Sequence, residues 1–157
     1  MTRAAHSFYL RNTYVENRLV QPGGVVLAGT PLDLRDIRLP VYAVGAERDH
    51  IVPWDAAWQV TRLVGGDVRF VLANSGHIAG IINPPGGKGY YFTAPDGPAA
   101  VDAESWRQAA ARHEGSWWTD WTAWLAGHAG ARVKPPPMGG RRHKPLMDAP
   151  GSYVLER

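Results

Sequence analysis

The chain has 157 residues, 45% of them hydrophobic, with no cysteine; it is long enough for one ordinary domain with its own core, and it can hold neither a disulfide nor a thiolate metal site. The formal charge of +3 sits beyond residue 131, where six Lys and Arg face Asp148 and Glu156 and leave about −1 for the rest, so the body has no basic stripe for nucleic acid. No apolar run approaches the ~18 residues of a membrane span, and Arg3, Arg11, Glu16 and Arg18 break up any secretory leader, so a cytoplasmic protein without a transmembrane segment is expected.

The opening stretch HSFYLRNTYVENRLV sets Phe8, Leu10, Tyr14, Val15, Leu19 and Val20 at helical spacings between polar residues, which predicts an amphipathic helix ended by Pro22-Gly23-Gly24. VVLAGTPLDL reads as a short strand or extended piece. Val41 to Gly45 form a continuous apolar run too short for a helix, which suits a strand of a parallel sheet. Pro53 then opens a helix carrying Trp54, Ala57, Trp58 and Leu63, and Gly65-Gly66 stops it. A second strand is predicted at Val68 to Leu72, breaking at Asn74-Ser75-Gly76. Asn83 to Gly97 reads as a long Pro/Gly-rich loop with Tyr90-Tyr91-Phe92 inside it. From Asp102 onward the pattern is helical, with Gly115 a break and Ser116 a cap for a second segment. Trp117, Trp121, Trp124 and Leu125 fall on one face there, more suited to core packing than to a ligand platform, and Trp118 lies off the stripe. The residues past Gly130 read as an extended tail.

A strand, helix, strand order with a right-handed crossover makes the two strands parallel and puts both carboxyl ends on one rim, where sites of open α/β sheets assemble. Asp49 and His77 each follow one of those strands, 28 residues apart. Taken singly, Asp49 is a helix cap or Asx-turn residue and His77 a loop histidine. Together, acid before histidine at matched strand ends, they fit the two supporting members of a nucleophile–His–acid triad. His50 is a decoy, because neighbours on an extended chain point in opposite directions. His6, His113, His128 and His143 stand alone, and no metal-ligand spacing is present. The third triad member is missing: none of the serines lies in a G-x-[Ser/Cys]-x-G elbow. The fold class is therefore α/β, the latter portion of an α/β-hydrolase-type domain without its nucleophile elbow.

Four stretches, HSFYLRNTYVENRLVQPGG, ERDHIVPW, SGHIAGIINPP and GSWWTDWTAWL, taken in this order, resemble the C-terminal part of the catalytic domain of class I polyhydroxyalkanoate (poly-3-hydroxybutyrate) synthases. The resemblance runs from His6 to about Val154 and is weakest in the Lys88 to Ala103 loop and the tail. It implies that Asp49 matches the family's catalytic aspartate and His77 its catalytic histidine, while the family's cysteine has no counterpart here. It also implies residues 1–24 as the end of a cap-like helical region that contributes to dimer formation, 25–130 as part of the hydrolase-type domain, and 131–157 as an extended basic tail.

The activity implied is acyl transfer from 3-hydroxyacyl-coenzyme A to a growing polyester, with coenzyme A as part of the substrate and no separate cofactor. The implied partners are a second copy in a homodimer and the polymer granule surface. The chain is expected to be a piece of a longer frame with Met1 an internal position. A sheet cut before its central strands exposes apolar edges, so this piece is expected to be inactive and aggregation-prone alone. A generic α/β hydrolase or depolymerase fragment and a non-catalytic granule-binding or dimerising module are the alternatives.

Overall fold

The computed structural model describes residues 1–94 and 102–156; the end of the loop expected up to Gly97 lies outside them. Helix α1 spans Arg3–Leu10, and the Thr2 side chain accepts a hydrogen bond from the Ala5 amide at its start. The single helix expected to run on to Val20 changes pitch instead. Arg11–Val15 widens into a π turn, where Asn12 Nδ2 and Thr13 Oγ1 donate back to the carbonyls of Phe8 and Tyr9 at 2.7 Å. Such bonds compete with the helix's own ladder and loosen it. Asn17 then takes a left-handed conformation (φ 46°), which closes the helix before a 3-10 turn at Arg18–Val20.

VVLAGTPL is an antiparallel hairpin of β1 (Val25–Leu27) and β2 (Thr30–Leu32). Its two turn residues, Ala28 and Gly29, both have positive φ (48° and 81°), the geometry of the tight primed turns that match strand twist.

The remaining elements build a four-stranded mixed sheet in the order β3-β4-β5-β6. Strands β3 (Val41–Ala46) and β4 (Val68–Ala73) are parallel, registered Val41 to Val68 through Ala46 to Ala73. They are joined through helices α2 (Trp54–Trp58) and α3 (Val60–Leu63), in the expected strand, helix, strand order. Beyond them the reading needs two corrections. Tyr90–Thr93 is strand β5, antiparallel to β4, rather than part of a loop; only four residues long and set among Pro and Gly, it gives too short a run for its alternation to register. The helix expected from Asp102 stops after α4 (Ala103–Ala109), and Ala111–Glu114 is strand β6, antiparallel to β5. All four β6 residues are exposed, and its Arg, His and Glu resemble a polar helix face in composition while serving as a charged edge strand. Gly115, at φ 92°, turns the chain into α5 (Trp118–His128).

Alternation along the strands divides the core between two faces. Phe70, Leu72 and Phe92 point to one, where Trp58 of α2 and Ala103 and Trp106 of α4 cover them. Val71, Ala73 and Tyr91 point to the other and meet Trp117, with Tyr42, Val44, Trp118 and Trp121 around them. The tryptophan stripe of α5 is thus core at its start, and burial fades along it until Leu125 is exposed. A partly buried ion pair holds this helix to the sheet. Asp120 accepts from Arg69 Nε at 2.8 Å and from the Tyr42 hydroxyl at 2.8 Å.

Strand β3 is an edge, and Val41 to Val44 are only half-buried despite their apolar character. Residues 131–152 form no helix or strand and lie almost wholly exposed, before a last 3-10 turn at Tyr153–Leu155.

Phe70 packs edge-on against Trp106, centroids 4.9 Å apart, in the larger of these clusters. Phe70→Ala should therefore cost about 3–5 kcal/mol in urea unfolding, whereas Val26→Ala in the exposed hairpin should stay within about 0.5 kcal/mol. Equal effects would contradict this placement of the core.

Candidate active site

The parallel ladder does not end with the strands. The Glu47 amide donates to the Ala73 carbonyl at 2.8 Å and the Arg48 amide to Ser75 at 2.9 Å, so the two loops leave the sheet side by side. Asp49 then turns back, its amide bonded to the Ala46 carbonyl, while Ser75 adopts φ 81° and redirects the other loop. His77 comes two residues later, in a single turn in which the Gly80 amide bonds to the Gly76 carbonyl and those of Ile81 and Ile82 to the Ile78 carbonyl. Gly80 must lack a side chain, since a Cβ there would lie 2.8 Å from the Ala46 Cβ and from the Gly76 carbonyl. The absence of that atom lets the turn after His77 rest on the end of β3.

These constraints bring the two sequence candidates together. Asp49 Oδ2 lies 2.8 Å from His77 Nδ1. Its other oxygen, Oδ1, accepts from the amides of Ile51 at 2.8 Å and Val52 at 3.0 Å. The two oxygens of Asp49 are engaged separately: Oδ1 closes the turn into α2 and Oδ2 meets the histidine. The Asp49 side chain is only 8% exposed, the His77 side chain 46%. An ionised carboxylate can only accept, so Nδ1 carries the proton and Nε2 is left as the basic nitrogen of neutral His77. His50 is exposed and takes no part in this pair.

Three carbonyls of the same loop receive hydrogen bonds from the start of α5. Ser116 Oγ donates to Asn83, Trp117 Nε1 to Gly80 at 3.0 Å, and Trp118 Nε1 to Ile81 at 3.0 Å. Beside the pair, Glu47 accepts from the Tyr90 hydroxyl at 2.9 Å and from Arg107 at 3.2 Å, and Arg107 stacks on the Phe92 ring. No local pattern in the sequence signals this network, because β5 lies in a Pro/Gly-rich stretch and the chain past α4 is composed like a helix. Two of the lone histidines are packing or capping groups: His113 pairs with Thr93 Oγ1 at 2.8 Å over the Tyr91 ring, and His128 Nδ1 meets the Trp124 carbonyl; His6 and His143 are exposed.

Exposed isoleucines flank the pair on both loops, Ile51 (61% exposed), Ile78 (70%) and Ile82 (64%), alongside exposed Arg48 and His50. The pair therefore lies on a rim that is apolar at its isoleucines and charged or polar at Arg48 and His50.

Hydrogen bonding to the Val52 amide, with His77 and the Ile51 amide, holds the Asp49 carboxyl down to about 2 against the opposing effect of its burial. A group that titrates at about 2 when folded and at its ordinary 3.8 when unfolded gives stability that is complete above about pH 4 and is lost as pH falls through about 2. Asp49→Asn lacks this contribution, so the stabilities of wild type and variant should converge on acidification through that window. A gap that stays constant would contradict the bonding described.

No family model matches the chain. It is 47% identical over 154 residues to the poly(3-hydroxyalkanoate) polymerase subunit PhaC of Cupriavidus necator, covering 95% of this chain and 25% of that protein. It is 42% identical over 157 residues to the subunit of the same name from Rhizobium etli, covering 100% of this chain and 24% of the relative. With poly(3-hydroxyalkanoate) polymerase 2 of Ectopseudomonas oleovorans the identity is 46% over 143 residues, 90% of this chain and 25% of the relative. The chain spans about a quarter of the length of the curated relatives it matches. Over nearly its whole length it is therefore homologous to a segment of the poly(3-hydroxyalkanoate) polymerases, the family its four motifs resemble.

Proposed function

We propose that the chain is the C-terminal part of the catalytic domain of a polyhydroxyalkanoate synthase, an acyltransferase that polymerises 3-hydroxyacyl-coenzyme A, and that Asp49 and His77 are its acid and base. The observation that carries this reading is the 2.8 Å contact between Asp49 and His77 beyond the ends of adjacent parallel strands. Residues 25–130 form part of a hydrolase-type catalytic domain, residues 1–24 the end of a cap-like region, and 131–157 a tail.

The nucleophile is a cysteine thiol supplied by the remaining three quarters of a polymerase. His77 Nε2 takes the thiol proton, and the thiolate attacks the thioester carbonyl. The carbon–sulfur bond to coenzyme A breaks, and the proton on His77 passes to the departing thiolate. In the second half the 3-hydroxyl of another unit gives its proton to the Asp49–His77 pair and attacks the acyl-enzyme, releasing the cysteine and leaving an ester. Splitting one acyl transfer in two lowers each barrier. Asp49, held ionised by two backbone amides, fixes the imidazole tautomer and stabilises the imidazolium.

Two features support a larger catalytic domain. Strand β3 presents a half-buried apolar edge, the place for a further strand, and the isoleucine rim around the pair suits contact with acyl chains or covering protein. Tyr14 and Val15, 75% and 76% exposed in the cap-like region, suit burial in a homodimer. The site of action is then the cytoplasm and the surface of polymer granules.

The test uses two proteins. The chain alone should release no coenzyme A from 3-hydroxybutyryl-coenzyme A above the buffer rate. Grafted in place of the matching segment of the Cupriavidus necator polymerase, it should support polymer formation. In that graft His77→Gln should lower kcat by about 10²–10⁴-fold, and Asp49→Asn should slow chain growth strongly with folding nearly intact. Wild-type rates for either variant would remove the assigned role, and turnover by the chain alone would require another nucleophile.

A further inference from the structure

His77 stands on a loop with nearly half its side chain exposed, and its contact with Asp49 alone would not hold that loop in place. Fixed donors come from elsewhere. Three consecutive residues at the start of α5, Ser116, Trp117 and Trp118, aim three side-chain donors at three carbonyls in the seven-residue stretch His77 to Asn83. The Ser116 oxygen also accepts from the Trp118 amide, so the hydroxyl that holds Asn83 also orients the backbone that presents the Trp118 indole. The helix is in turn held to the sheet two residues further on, by Asp120 against Arg69 of β4 and Tyr42 of β3. A continuous line of directional bonds therefore runs from the strands that place Asp49, through α5, back to the turn that follows His77.

We propose that Trp118, with Ser116 and Trp117, is a positioning residue for His77: its indole N–H holds the Ile78–Asn83 turn at the distance from the β3 end that keeps Nδ1 on Asp49. Trp117 is buried in the core and contributes packing as well, whereas Trp118 is only half-buried and off the main stripe, so its hydrogen bond can be separated from its bulk. This assignment rests on the catalytic reading only for its effect on rate; its structural part concerns the loop itself.

Trp118→Phe keeps an aromatic ring and deletes the donor. In the full chain, hydrogen exchange of the Gly80, Ile81 and Ile82 amides, all bonded within the turn, should accelerate by about tenfold or more while the β3 and β4 amides keep their rates. Trp124→Phe, on the same helix and packed on Tyr42, should leave the turn unchanged. In the graft, Trp118→Phe should lower kcat on the order of 10- to 100-fold with little change in KM, the signature of a displaced base rather than a lost binding contact. Unchanged turn exchange in Trp118→Phe would overturn the proposal, as would acceleration spread equally over the strands. Should that variant fail to fold, Ser116→Ala, which keeps both rings, decides it by the same exchange pattern. If the turn loosens but kcat stays at the wild-type level, the positioning claim falls; if His77→Gln is itself fully active, the catalytic reading falls and the loosened turn stands.

Discussion

The parallel registration of β3 on β4 is the constraint from which the rest of the site follows. Six paired positions align the strands from Val41–Val68 to Ala46–Ala73, and two further backbone bonds carry the alignment into the loops. Because a one-residue slip would turn every side chain to the opposite face, the same register that buries Phe70 and Leu72 under α2 and α4 also places residue 49 opposite residues 75 to 77. Core packing and site geometry are one arrangement seen at two ends of the same strands. The isolated carboxylate–imidazole contact is exposed to solvent at one side and is weak by itself; the ladder beneath it makes it persistent.

Legibility in the sequence followed the strength of the local pattern. The β3 run VYAVG and the α2 opening after Pro53 carry strong signals, and both elements stand where they were expected. So does the pairing of Asp49 with His77, since a crossover connection leaves few ways to place two strand-end residues apart. The missed elements are those decided by tertiary context. Tyr90–Thr93 becomes a strand because β4 offers it an open edge, and Ala111–Glu114, composed like a helix, is drawn out by pairing with β5. The pitch change after Leu10 arises from side-chain bonds of Asn12 and Thr13 to the preceding turn, which no hydrophobic period reports.

The two edges of the sheet differ in kind. Strand β6 is short, charged and exposed along its length, the usual defence of a terminal strand. Strand β3 has no such protection: Val41 to Val44 are apolar and half-covered, and the loop that holds Asp49 follows at its end. The undefended edge thus lies on the strand that leads to the Asp49–His77 pair, in a chain homologous to about a quarter of a polymerase. The core reading of the α5 aromatics holds at the start of that helix, where Trp117 serves the core through its ring and also the His77 loop through its N–H.

Everything at this rim turns on Asp49 holding His77 through Nδ1 and leaving Nε2 basic. Nitrogen-15 spectroscopy of the His77 ring in this chain, above the range in which imidazole is protonated, tests it most directly. The expected spectrum has a protonated Nδ1 with a downfield-shifted, hydrogen-bonded proton that disappears in Asp49→Ala, and an unprotonated Nε2. A ring protonated at Nε2, or a spectrum indifferent to Asp49, would contradict it.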